Sequence, residues 1–393
     1  MSNFSYYTPT HVYFGRGTQN QVGELVRAQG CKKVLIHYGG QSARRSGLLD
    51  QVEASLDAAG VAHVQLGGVV PNPHLSLVYE GIELCRREGV DFILAVGGGS
   101  VIDSAKAIGY GMCMDGDVWE LYNHTRRATG CLPIGVILTI AASGSEMSDS
   151  SVITKEEGGI KRGYNDDICR PKFAIMNPEL TMTLPDYQTA CGCTDILMHT
   201  MERYFVQGDA MEITDSIAEA LMRTVMEQAK ILRDDPKNYD ARAEVMWAGS
   251  LSHNGLTGCG HDGSDFASHR LEHEMGGMFD VAHGAGLAAV WGSWARYVYQ
   301  NCMPRFVRFA RNVMGVEADL SDDAAALRGI ELMEDFFRSI HMPTCFSELG
   351  IHPTQEQLEE MAHKCYLAVG GLLGSAKKLD EGDMLAIYKM ANH

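Results

Sequence analysis

Two short segments carry side chains able to grip a single metal ion. Asp195 and His199 stand four positions apart, so on a helix they share a face, and His269 and His273 repeat that spacing in a later segment. His283 follows beside Gly284. Five of the fifteen histidines, at 253, 261, 269, 273 and 283, fall within 31 residues, where even scatter would give about one. One Asp oxygen and three imidazole nitrogens drawn from such pairs would suit Fe(II) or Zn(II) and fit Mg or Ca poorly. The neighbours Ile196, Leu197 and Met198 are apolar, and an uncompensated carboxylate among them would be costly, which favours an ion. Nothing in the sequence fixes the direction of His253 or His261, and these two read as surface or loop residues.

A second chemistry lies upstream. Gly97, Gly98, Gly99 and Ser100 follow the apolar run 92–96 and open a segment, Ser104 to Tyr110, that can be helical. Backbone N–H groups and the positive end of the helix dipole converge at such a start, and glycine lets a diphosphate approach closely. The pattern is not GxGxxG, because Ile102 occupies the last glycine position. A second turn, Gly39 and Gly40, ends an earlier strand and leads into Ser42, Arg44 and Arg45. No carboxylate stands between Cys31 and Asp50 to bond the adenosine ribose and repel a 2′-phosphate, so the turn predicts NADPH rather than NADH.

These groups need a frame. Val34-Leu35-Ile36, the run 92–96 and the run 134–138 alternate with helix-period segments such as 48–59, which is the pattern of βαβ units and a parallel sheet. Residues 151–162 read as a β-hairpin turned at Gly158-Gly159. Beyond Thr183-Leu184-Pro185 the periodicity becomes helical, as in the stripe Ile217, Leu221, Val225, Ala229 and Leu232. The expectation is therefore an α/β domain over 1–185 and an all-α domain over 186–393, packed with a ligand cleft between them. Composition narrows the function. Fifty acidic residues against thirty-three Lys and Arg give a net charge of −17, with no basic run, which argues against nucleic acid or an anionic membrane as partner. No apolar stretch is long enough to span a bilayer, and the start lacks a signal-peptide layout, so a cytoplasmic chain is expected. Eleven scattered cysteines suit reduced thiols better than a disulfide framework.

Taken together, these residues resemble the iron-containing, group III alcohol dehydrogenase family over nearly the whole chain. The resemblance is carried by Thr10-His11-Val12-Tyr13-Phe14-Gly15, by Gly97-Gly98-Gly99-Ser100-x2-Asp103, by Gly144-Ser145-Glu146, and by Asn177-Pro178-Glu179-Leu180 with Thr183-Leu184-Pro185. Most specific are Asp195-x3-His199 and His269-x3-His273-x9-His283-Gly284. It implies an N-terminal dinucleotide-binding α/β domain and a C-terminal helical domain, the fold shared with dehydroquinate synthase. It also implies a metal held by Asp195, His199, His269 and His283, with His273 as the histidine near the reacting carbon. By similarity Asn72, Gly98, Gly99, Ser100, Asp103, Thr139, Ser143 and Lys161 line the coenzyme site, joining Gly39, Gly40, Ser42 and Gly97. Leu138-Thr139-Ile140 departs from the common Pro-Thr-Thr, and with the Tyr38-Gly39-Gly40 turn it is similar to the butanol-dehydrogenase and NADPH-dependent aldehyde-reductase branch. The implied reaction is reversible hydride transfer between a nicotinamide and a small aldehyde or primary alcohol, in a homodimer by analogy. A polyol substrate, as in glycerol-dehydrogenase-like relatives, a dehydroquinate-synthase-like chemistry, and a metal-dependent hydrolase without redox chemistry are the competing readings.

Overall fold

In a computed structural model the described residues, 1–208 and 210–393, divide into two compact units, Thr8–Thr183 and Leu184–His393 joined by Met1–Tyr7. The boundary falls two residues before the expected 185. The first seven residues depart from the expected 1–185 domain, because their backbone bonds elsewhere: the Ser2 amide donates to the Gly260 carbonyl at 3.0 Å.

The α/β unit is built on six parallel strands in the order β1-β8-β5-β4-β2-β3. These are β1 (His11–Phe14), β2 (Lys33–Tyr38), β3 (Ala62–Leu66), β4 (Phe92–Gly97), β5 (Ile134–Leu138) and β8 (Phe173–Met176). Every residue of β4, β5 and β8 is buried, as a parallel sheet covered on both faces requires. One face packs on the helix Leu48–Ala58, whose Leu48, Leu49, Val52 and Leu56 meet Val34, Ile36, Leu94 and Ile175. Each such side chain contributes about 1.5–3 kcal/mol on burial. After β2 the chain pairs β3 on one side, and after β3 it returns to pair β4 on the other. The C-terminal ends of β2 and β4 therefore form a topological switch point, where open α/β sheets bind ligands. Both glycine turns start there, since Tyr38 stands in register with Val96. The hairpin pairs β6 (Ser150–Lys155) with β7 (Ile160–Asn165), and Gly158 and Gly159 take the positive φ of 85° and 59° that its turn needs.

Leu184–His393 is helical. Its long segments include Asp186–Tyr204, Glu212–Asp234, Tyr239–His253, Ala267–Phe279 and His283–Val298. The stripe predicted for 214–232 is buried at Leu221, Val225, Ala229 and Leu232, and the helix ends at Asp234, two residues before Pro236. Phe205, Trp294, Phe306 and Phe309 stack at its centre. Among the described residues no helix is long and apolar enough to cross a membrane, and the eleven cysteines are free thiols.

Candidate metal centre and coenzyme turn

Three helices supply the metal-type residues. On Asp186–Tyr204 the four-residue step puts Asp195 and His199 on one face; His269 comes from Ala267–Phe279, and His283 opens His283–Val298. One carboxylate oxygen faces all three rings. Asp195 Oδ1 stands 3.4 Å from His199 Nε2, 3.6 Å from His269 Nε2 and 3.7 Å from His283 Nε2. Ligands about 2.1 Å from a tetrahedral ion are separated by about 3.4 Å, and donor atoms of Asp195, His199 and His269 all lie within 4.8 Å of one another, so these spacings can accommodate a shared ion. The donor set also fits a metal by default of any other partner. Asp195 Oδ1 and His269 Nε2 are buried and have no hydrogen-bond partner among the described residues, an arrangement that would cost free energy unless an ion completes it.

Electrostatics divide the rings. Burial, followed by the neighbouring His253 and His269 rings, holds His199 well below the usual imidazole range, which leaves it neutral with a lone pair to donate. Burial opposes charge on His269 as well, but Glu202 and Asp195 outweigh it and raise that ring to about 9 before any metal binds. Sequence reasoning missed two carboxylates, Glu202 and Glu272, that contact these rings. Glu202 contacts His269 Nδ1 and also accepts from the His269 backbone amide at 3.0 Å, while Glu272 contacts His283 Nδ1. The available signal was position: Glu202 falls three residues after His199 and Glu272 three after His269. His273 is buried one helical turn beyond His269, its ring 6.0 Å from that of His283.

Two expectations are corrected. His253 and His261 are buried rather than at the surface; His253 ends the helix Tyr239–His253, whereas His261 does lie in a loop, as expected. The His253 ring packs 3.9 Å from that of His199, and its Nδ1 accepts from Arg203 at 3.0 Å. His261 Nδ1 donates to the Arg203 carbonyl at 2.8 Å, and its Nε2 faces Asp215 at 3.0 Å. Asp215 also takes two bonds of 2.6 Å from Arg305; burial opposes its charge, yet Arg305 and His261 keep the carboxyl well below the usual range.

In the α/β unit the glycine turn leads directly into the helix Gly99–Met112, longer than the expected 104–110. Gly99 lies close against Ser143: a Cβ there would sit 2.3 Å from Ser143 Oγ, which would have to rotate away. The Thr139 amide donates to the Gly97 carbonyl at 3.0 Å, and a Cβ on Gly99 would meet Ser143, so Thr139, Ser143 and the glycines gather beyond the C-terminal ends of the central strands β4 and β5. Gly40 and Ser42 are exposed at the neighbouring turn, and Gly39 is half-buried. Asn72 holds a left-handed φ of 55° in the loop after β3. Asp103 also has a structural task. Its carboxylate accepts from Ser145 Oγ at 2.6 Å and from the Val152 amide at 3.0 Å, tying the helix to the hairpin. Lys161 is buried within β7, opposite Thr154. Lys106 went unnoticed in the sequence. Fully buried, it donates to the carbonyls of Ser145, Ser148 and Ser150 at 2.7–3.0 Å and fixes the loop that follows Ser143.

With this geometry in view, comparison with known proteins is decisive. Residues 9–178 match the profile of iron-containing alcohol dehydrogenases, and residues 189–392 match the C-terminal profile of the Fe-containing alcohol dehydrogenase family. The chain belongs to the iron-containing alcohol dehydrogenase family. As a member it is an oxidoreductase, which removes the hydrolase reading. This alcohol dehydrogenase chain is 39% identical over 390 residues to NADH-dependent butanol dehydrogenase A of Clostridium acetobutylicum, covering 99% of both chains. It is 34% identical over 355 residues to NADPH-dependent aldehyde reductase YqhD of Escherichia coli, covering 89% of this chain and 90% of that one. The crystal structure of NADH-dependent butanol dehydrogenase A from Thermotoga maritima superposes with a TM-score of 0.96 at 37% identity, over 100% of this chain and 99% of that one.

Proposed function

We propose that this iron-containing alcohol dehydrogenase interconverts a small aliphatic aldehyde and its primary alcohol with a nicotinamide coenzyme. The observation carrying this reading is the convergence of three imidazole Nε2 atoms on Asp195 Oδ1. Asp195, His199, His269 and His283 would hold Fe(II) or Zn(II). When bound, the ion supplies Lewis-acid polarisation of the substrate carbonyl and the nicotinamide supplies or accepts the hydride. His199, His269 and His273 are buried, and in such surroundings charge growing on the substrate oxygen would be stabilised more than in water. His273 relays the proton to that oxygen. The turn at Gly97–Ser100 receives the coenzyme diphosphate, with Thr139 and Ser143 beside it and Lys106 holding their loop.

For the coenzyme we assign NADPH. Arg44 is exposed and hydrogen-bonds neutral partners, the Tyr38 hydroxyl at 2.8 Å and Gln65 at 2.9 Å, with Glu53 and Asp50 nearby but not bonded to it, so it can turn its guanidinium to a 2′-phosphate. A second reading, NADH, is favoured by the names of the Clostridium and Thermotoga relatives. We further assign a homodimer, and a reducing cytosol on account of the free thiols. The test follows NADPH absorbance with butyraldehyde, on chelator-stripped enzyme to which Fe(II) or Zn(II) is returned anaerobically. Metal-restored oxidation supports the reading. Turnover only with polyols refutes the substrate class, and a higher kcat/KM with NADH refutes the coenzyme.

A further inference from the structure

We infer that Glu202 and Glu272 are positioning residues of the metal centre, each holding the Nδ1–H of one histidine so that Nε2 is the atom offered to the ion. The inference rests on the four-residue metal centre proposed above and deepens it. A neutral imidazole carries one proton, and the acceptor facing one nitrogen decides which nitrogen keeps its lone pair. Glu202 faces Nδ1 of His269 and Glu272 faces Nδ1 of His283, while both Nε2 atoms stand within 3.7 Å of Asp195 Oδ1. Both carboxylates are buried, at 1% and 0% exposure, where an ionised group persists only with donors around it.

Their placement makes the three helices interdependent. Asp186–Tyr204 carries Asp195 and His199, and through Glu202 it also orients the ring supplied by Ala267–Phe279. That second helix carries His269, and through Glu272 it orients the ring supplied by His283–Val298. The two clamps differ in what they must accept. One oxygen of Glu202 faces the His269 ring and the other takes the His269 backbone N–H, so both oxygens serve the same ligand. An amide has one acceptor oxygen, and Glu202→Gln can satisfy only one of these two donors. Glu272→Gln retains an acceptor for the His283 ring.

The experiment uses Co(II) as probe on the metal-stripped full-length chain, reading its visible bands and its Kd by chelator competition. Wild type, Glu202→Gln, Glu272→Ala, Glu272→Gln and Asp195→Ala are compared. Glu202→Gln and Glu272→Ala are expected to weaken Co(II) binding about 10–100-fold and to shift the bands, with Glu272→Gln recovering most of the loss. Glu202→Gln changes almost no volume, so it carries the test if Glu272→Ala does not fold. Wild-type Kd and bands in Glu202→Gln and Glu272→Ala would overturn the inference while leaving the centre intact. Undiminished Co(II) binding by Asp195→Ala would instead overturn the centre itself.

Discussion

Substituting Gly284 by alanine tests whether the ligand helices are set by backbone contact. Gly284 follows His283 at the start of its helix, and a Cβ there would lie 2.2 Å from the Cys191 carbonyl oxygen, 2.7 Å from its carbon and 2.8 Å from its Cα. All three are backbone atoms of Asp186–Tyr204, one turn before Asp195, so no side chain can swing aside. Ordinary contact begins near 3.4 Å, and the two helices must separate by roughly 1 Å. Metal ligands tolerate displacements of about 0.2 Å. His283 would therefore leave the coordination sphere, and Zn(II) affinity should fall by more than about 100-fold, or about 2.7 kcal/mol. The fold itself should lose only the about 1–3 kcal/mol typical of overpacking, so the metal-free chain still folds. The assay is Zn(II) competition against a chromophoric chelator, with thermal melting of the stripped protein alongside. Gly284→Ala with wild-type Zn(II) affinity would refute the reasoning. The contrast lies two residues on: a Cβ at Gly286 meets side-chain atoms, Glu272 Cγ at 2.9 Å and Met275 Cε at 3.0 Å, which are freer to adjust.

Further outcomes are expected elsewhere. His37 is buried between the Leu66 carbonyl and Ser104 Oγ, each 2.9 Å away, and burial, only partly opposed by the Leu66 bond, lowers its pKa to about 4. The unfolded chain, with its imidazole near 6.5, takes up the proton first as pH falls, so up to about 3 kcal/mol of stability is lost between pH 6.5 and 4. Urea unfolding across that range should show the loss, and His37→Gln should flatten it; an equal slope in the variant would remove His37 as the cause. Lys106→Met strands three buried carbonyls and should raise the KM for coenzyme several-fold with little change in kcat; an unchanged KM would separate Lys106 from the coenzyme loop. Asp215→Asn leaves Arg305 and His261 short of their anion and should cost about 3–5 kcal/mol, read as a lowered melting temperature; wild-type melting would mean the network is stabilised by other contacts.

The convergence of Asp195, His199, His269 and His283 was legible because helix geometry converts a spacing of four into a shared face, and because histidines cluster where chance would scatter them. The switch point was legible through the glycines that end β2 and β4. What the sequence hid was direction. Glu202 and Glu272 look like any acidic residues on a helix until the fold aims them at a ring, and Lys106 looks like a solvated lysine until five buried oxygens surround it. His253 and His261 were misplaced for the same reason: burial of a lone histidine depends on partners from other helices, Arg203 and Asp215, that no local pattern announces. Asp103 sits in a motif associated with coenzyme, yet its oxygens are engaged by Ser145 and Val152, contacts that exist only once the hairpin has folded against the helix.

The affiliation of Met1–Tyr7 with the helical unit sets a condition on folding. These residues precede the sheet in the chain, but the Gly260 carbonyl that receives the Ser2 amide stands beyond it, so their docking waits for the helical unit. Residues 8–183 can meanwhile complete the parallel sheet as a continuous segment. A change within residues 1–7 should therefore burden the helical unit and leave the parallel sheet of residues 8–183 to form unaided.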